Sequence, residues 1–306
     1  MSDIVGLAKV ADENLNFYVS KALDLANFNI RRKVESVSIK VNLCYYWDSF
    51  TGYTTDPKLV ASIIDVLREK YRLHNADMRI VEADATAMRA FHAFKMLNYE
   101  ELAEEKGVTL FNLSNDKVAV RKVCVNNREL SLKIPQSLLE TDVFINMPKM
   151  KIMSATVITC ALKNLFGCIA TRRKIVYHKM LDEAIVGVNK ILKPHLTVVD
   201  GIIGLGRFPV KMNLIVAGTN PFSVDCVVSK IMGYNPSQIG HLKLGHREGL
   251  GDPREIRVVG EDLEKLREMF PRVRGLRLKM GNRVQIQLFK LYSRIVGDVT
   301  PPFLET

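Results

Sequence analysis

The sequence lacks acid where it is richest in base. From residue 143 to residue 181 there is no Asp or Glu, while Lys149, Lys151, Lys163, Arg172, Arg173, Lys174 and Lys179 supply seven positive charges. A merely solvated face mixes its signs, so this absence points to a bound anion. Cysteine is also scarce: Cys44, Cys124, Cys160, Cys168 and Cys226 stand far apart with no C-x-x-C pair. That spacing argues against a metal or iron–sulfur centre held by thiolates. No apolar run approaches the roughly 20 residues that span a bilayer. Residues 1–16 carry Asp3, Asp12 and Glu13 in place of the cationic and apolar regions of a secretory leader. These absences lead to the expectation of a cytoplasmic, reduced protein. Internal repeats and low-complexity linkers are missing too.

What is present is ordinary globular material. In 306 residues, 47% are hydrophobic and 25% charged, enough for a sizeable core. The formal charge of +11 favours phosphates, carboxylates, nucleic acid or anionic membranes without choosing among them. Short β-branched runs at residues 36–41, 78–83, 108–113, 143–146, 196–199, 214–217 and 256–259 alternate with helix-like stretches. This pattern predicts an α/β fold: a mixed, mostly parallel sheet with helices on both faces. Asp56-Pro57 and Asn220-Pro221 read as helix starts, each with a capping side chain before a proline at the first helical position. The second helix is expected to stop at Gly233. Residues 117–134, with Asn126-Asn127 at their centre, read as a β-hairpin insertion. The division expected is a domain over residues 1–269 and a basic C-terminal extension over 270–306, docked on it. Between residues 270 and 296 the extension holds seven Lys and Arg without one acid.

The candidate site is built around the acid-free stretch. Lys149 and Lys151 follow the strand at 143–146, and in an extended chain both ammoniums share a face. Residues 154–166 predict a helix ending at Gly167, with Thr156, Thr159 and Lys163 on one polar stripe. Hydroxyls and an ammonium along one edge supply converging donors for phosphate or carboxylate. Arg172, Arg173 and Lys174 follow, then His178, the nearby side chain suited to exchanging protons near neutral pH. In an open α/β sheet, ligands gather beyond the carboxyl ends of the strands. Lys40 and Asn42, Glu82 and Asp84, and Asp200 occupy three such ends. The acids have three open readings: orienting His178, holding a divalent cation that bridges to an anion, or capping loops. Asp225 is read equally as an acid compensating its own helix dipole or as a ligand.

Several of these segments resemble the domain of unknown function family 362, an archaeal and bacterial group often joined to ferredoxin-type iron–sulfur modules. The resemblance lies in Lys40-Val41-Asn42, Thr54-Thr55-Asp56-Pro57, the run from Thr141 through Asn146-Met147-Pro148-Lys149-Met150-Lys151, and Ala161-Leu162-Lys163-Asn164-Leu165-Phe166-Gly167. It continues through Tyr177-His178, Asp200-Gly201, the Asn220-Pro221 helix start, Met232-Gly233-Tyr234 and Gly249-Leu250-Gly251. Ferredoxin cysteines are missing, and Gly204-Leu205-Gly206-Arg207-Phe208-Pro209 replaces the family's more usual glycine–proline turn. More faintly, the Lys163 segment is similar to a glycine–lysine segment of nickel-dependent lactate racemases. The resemblance implies a fold and a site but no reaction.

The leading expectation is a protein that binds, and as an enzyme transforms, a phosphorylated or carboxylated small molecule. His178, Lys163, Asp84 and Asp200 are the candidate catalytic residues. Lys40, Asn42, Lys149, Lys151, Thr156, Thr159, Asn164, Arg172, Arg173 and Lys174 are the candidate ligand-binding residues. The cofactor is open, a divalent metal included. Two alternatives stay open: nucleic-acid binding through the central and C-terminal basic patches, and an iron–sulfur accessory role beside a separate ferredoxin.

Overall fold

The computed structural model describes residues 2–30, 32–44, 46–86, 88–171 and 174–271. The chain begins with β1 (Asp3–Lys9), α1 (Leu15–Leu25), β2 (Ser36–Lys40), α2 (Pro57–Tyr71) and β3 (Asp77–Glu82). It continues with α3 (Ala90–Met96), α4 (Tyr99–Lys106), β4 (Thr109–Asn112), β5 (Val118–Val125), β6 (Arg128–Pro135) and α5 (Gln136–Glu140). The acid-free stretch forms β7 (Val143–Asn146), β8 (Lys149–Met153), β9 (Val157–Thr159) and α6 (Ala161–Phe166). Then come α7 (Leu181–Ile191), β10 (Leu196–Leu205), β11 (Pro209–Gly218), α8 (Pro221–Ile231), α9 (Gly240–Arg247), β12 (Ile256–Gly260) and α10 (Leu263–Met269).

The main sheet runs β12-β1-β11-β10-β7-β2-β3-β4, with β8 beside β10 and β9 beside β8. Its β10-β7-β2-β3-β4 half is parallel, whereas β11 is antiparallel to both β10 and β1. This is the expected mixed, mostly parallel α/β sheet. Alternation along each strand sends successive side chains to opposite faces. Val37, Ile39, Val143 and Ile145 pack under α1 to α4 with Leu23, Leu59, Ile63 and Phe94. Phe144, Val81 and Val199 pack on the other face with Leu162, Ile185, Val227 and Leu244 from α6 to α9. Lys40 and Asn146 therefore point to the α6 side.

The legible helix starts form as expected. The Asp56 side chain accepts from the Lys58 amide at 2.9 Å, and Asn220 accepts from that of Phe222 at 2.9 Å. Gly233 follows the second helix at φ 80. Asn126 and Asn127 take φ of 52 and 59, the paired left-handed conformation that closes a two-residue hairpin between β5 and β6.

Two expectations need correction, and one strand was not anticipated. Residues 154–166 are not one helix: β8 turns back into β9, and only Ala161–Phe166 is helical. The β-branched Thr156-Val157-Ile158-Thr159 run favours strand pairing with β8, so Thr156 and Thr159 leave the helix and their hydroxyls lie 3.4 Å apart. Asp200 does not end its strand, because β10 continues through Gly201 to Leu205 and forms a hairpin with β11. Residues 3–9 form β1, a strand pairing on both sides, although the sequence reading placed none there. The basic extension lies outside the described residues from Arg272 onward; Phe270 is buried, its ring standing where a side chain at Gly204 or Gly206 would touch it. No helix among the described residues is long and apolar enough to cross a membrane.

Removing the α2 cap is expected to have a defined cost. Asp56→Ala will lower unfolding free energy by about 1 kcal/mol in urea denaturation, and an unchanged midpoint would contradict the capping role.

Candidate functional site

The site forms where α6 meets the carboxyl ends of β2 and β3. Helix α6 has only six residues, and its preceding residue, Cys160, makes no side-chain cap. Its first amides are satisfied from elsewhere: the Asp225 carboxylate, carried by α8, accepts from Ala161 N at 2.6 Å and Leu162 N at 2.9 Å. Burial pushes Asp225 up to about 7, against the two amides and the Cys160 thiol, which pull it down. Asp225 thus caps α6 rather than its own helix.

From this anchored helix a polar chain crosses to β2 and β8. The Asn146 amide donates to Ala161 O at 3.1 Å, and Asn164 donates to Asn146 Oδ1 at 2.8 Å. Asn42 donates to Asn164 Oδ1 at 2.8 Å, and Lys151 Nζ donates to Asn42 Oδ1 at 2.6 Å. Every member is buried, so each bond is made away from competing water. Lys151 also donates to Tyr53 O at 2.7 Å and lies 2.9 Å from Cys44 Sγ.

Asn42, Asn164, Lys151 and Cys44 help to wall a cavity of about 220 Å³. Lys40, Lys151, Lys163 and Lys174 line it together with Asn42, Asn164, Thr159, Cys44 and His178. One carboxylate, that of Glu82, lies in the wall; it binds Lys40 Nζ at 2.6 Å and accepts the amides of Leu43 and Ala83. Lys151 has amide, carbonyl and thiol partners, and Lys174 donates to the backbone carbonyl of Asp84. Lys163, half-buried, has no hydrogen-bond or ion-pair partner among the described residues. Burial, aided by the Lys151 charge and opposed by Cys44 and Asp182, pulls the Lys163 ammonium down to about 8. Burial likewise lowers Lys174 to about 8, with Glu82 opposing and Lys40 assisting.

The other expected residues lie elsewhere. Lys149 is fully buried in an ion pair with Asp200 at 2.8 Å, away from the cavity. Asp200 also accepts from the Asp56 and Ile202 amides, which makes it a structural junction. The Asp84 carboxylate accepts from Ala90 N and Asn112 Nδ2; its backbone oxygen, not its carboxylate, reaches Lys174. The three strand-end acids therefore do not converge, and no three His, Cys, Asp or Glu side chains cluster as metal ligands among the described residues. Thr156 is turned toward Thr159, and Arg172 and Arg173 lie outside the described residues. One wall residue, Cys44, was not singled out from sequence as part of the site, although it stands two residues beyond Asn42 on the same strand-end segment.

The family model for a domain of unknown function, DUF362, matches residues 37–230, a span that includes every wall residue named above. The chain belongs to that family. The thylakoid-associated protein sll1697 of Synechocystis sp. (strain ATCC 27184 / PCC 6803 / Kazusa) is 30% identical over 132 residues. That match covers 39% of this chain and 41% of the relative, so less than half of either protein is shared. Among solved structures, the lactate racemase apoprotein from Thermoanaerobacterium thermosaccharolyticum superposes with a TM-score of 0.38 at 13% identity, over 81% of this chain and 56% of that one.

The Asp225 cap makes a stability prediction. Asp225→Ala strands two buried amides and is expected to cost about 2–4 kcal/mol in urea denaturation. Asp225→Asn, which keeps one acceptor, should lose less; equal stability of all three proteins would remove the cap from the account of α6.

Proposed function

We propose that the DUF362 cavity binds a small anionic molecule bearing a phosphate or a carboxylate. The observation that carries this reading is the convergence of Lys151, Lys163 and Lys174 on one cavity with no carboxylate bound to any of them among the described residues. Unpaired buried charge is costly, and a counter-ion supplied by a ligand offsets that cost. Lys40, by contrast, is already neutralised by Glu82, so it contributes shape and hydrogen bonding more than net charge. Asn42, Asn164 and Thr159 supply orienting groups, and His178 stands at the wall where a proton could be exchanged with the ligand. A polynucleotide backbone fits this arrangement poorly, because the ammoniums of Lys151 and Lys174 are buried. The size of the cavity favours a compact metabolite over a dinucleotide.

Affinity should depend on pH with a sign set by the two perturbed lysines. A bound anion favours the ammonium form and raises both pKa values above about 8, so binding takes up protons. Affinity is therefore full below that pH and declines as pH rises through it. Titration calorimetry with inorganic phosphate and with pyruvate across this range reads the effect directly. Lys163→Met is expected to weaken the bound anion by about tenfold or more. Anion affinity independent of both pH and Lys163 would overturn the reading.

A further inference from the structure

We propose that Lys163 acts as a nucleophilic amine, condensing with the carbonyl carbon of a small 2-oxo-carboxylate held in the cavity. The proposal rests on the anion-binding reading and names its substrate class. The lysines of this region differ in what their nitrogens already do. Lys40 and Lys149 are locked in ion pairs, Lys151 is engaged by three groups, and Lys174 donates to Asp84 O. Lys163 alone among these faces the cavity with no hydrogen-bond or ion-pair partner among the described residues.

A lysine becomes nucleophilic near neutral pH when it is desolvated or stands beside another cation, because both favour the neutral amine. Lys163 meets both conditions, with burial as the larger cause and Lys151 as the neighbouring charge, against Cys44 and the Asp182 carboxylate, which favour the ammonium. The same neighbours give the substrate its required features. The Lys174 ammonium and the charge of Lys151, whose three donors are already spent, attract a carboxylate, and Met88, Met153 and Phe166 in the wall accommodate a short carbon chain. A carbonyl adjacent to the carboxylate is the electrophile that an amine in this position can use.

The step balances without an oxidant or reductant. The neutral amine adds its lone pair to the carbonyl carbon, and the carbonyl oxygen takes up a proton to give a carbinolamine. Loss of that oxygen as water leaves a protonated imine. Overall, Lys–NH₃⁺ and the ketone become Lys–NH⁺=C and water, with one positive charge on each side. The imine carbon is then an electron sink for bond-making or bond-breaking at the adjacent carbon.

Reductive trapping tests the assignment on the full chain. Incubation with pyruvate and cyanoborohydride near neutral pH should add one reduced pyruvate per chain, located by peptide mass spectrometry on Lys163. Lactate, which has no carbonyl, should add nothing, and inorganic phosphate should slow the labelling. At saturating pyruvate, labelling should rise with pH through about 8, where half of the amine is neutral. Lys151→Met, which removes the neighbouring charge, should move that rise to higher pH. Lys163→Arg keeps the cation and is expected to cut labelling by at least about tenfold, with folding checked by circular dichroism. If calorimetry shows pyruvate bound but no adduct forms, or the adduct lies on Lys174 or is spread over surface lysines, the nucleophile assignment is overturned and the anion site stands. If neither pyruvate nor phosphate binds, both fall.

Discussion

The carboxylate of Asp225 is the constraint on which the site depends. A six-residue helix cannot hold itself in place, since most of its backbone donors have no partner within it. By accepting the first two amides of α6, a side chain from the middle of α8 ties that short helix to the core. Asn164 then meets Lys40 and Asn42 at a fixed position, Lys163 lines the cavity, and the Asn146–Asn164–Asn42 chain can form. Asn189 adds a second tie from α7 by donating to Leu162 O at 2.9 Å.

Charge in this region is sorted by depth and partner rather than spread evenly. Two lysines serve the scaffold: Lys149 with Asp200, and Lys40 with Glu82. Each pair joins neighbouring strands, β8 to β10 and β2 to β3, and of the two only Lys40–Glu82 lies in the cavity wall. The remaining positive charge is left to Lys151, Lys163 and Lys174, whose partners are neutral or, for Lys163, missing among the described residues. An excess that looks uniform in the sequence thus separates into structural ion pairs and an uncompensated group.

Much of the fold could be read from the chain because local signals and tertiary packing agree. Capped prolines at Asp56-Pro57 and Asn220-Pro221, the Asn126-Asn127 turn and the buried β-branched strands each have one good local solution. The lysine cluster was legible for a similar reason, since uncompensated charge stands out in a mixed sequence. The errors arose where distant partners decide. Residues 154–160 satisfy a helical pattern, yet pairing with β8 wins. Asp84 and Asp200 sit near strand ends in the sequence, but backbone amides and Lys149 claim their carboxylates. Asp225 reads as a local dipole acid because nothing in one sequence reveals that α6 lies across from it.

The asparagine chain has a direction. Beginning at the Lys151 ammonium, every link donates the same way until the last amide ends on Ala161 O, the carbonyl at the start of α6. Each amide can adopt only one orientation, because reversing any one would set oxygen against oxygen at one junction and nitrogen against nitrogen at the next. The wall is therefore polarised as a single unit, with its positive end at the cavity. Neutralising Lys151 would relax the dipoles of three side chains from three separate parts of the chain together, so the electrical state of the cavity is registered in the backbone of the helix that carries Lys163.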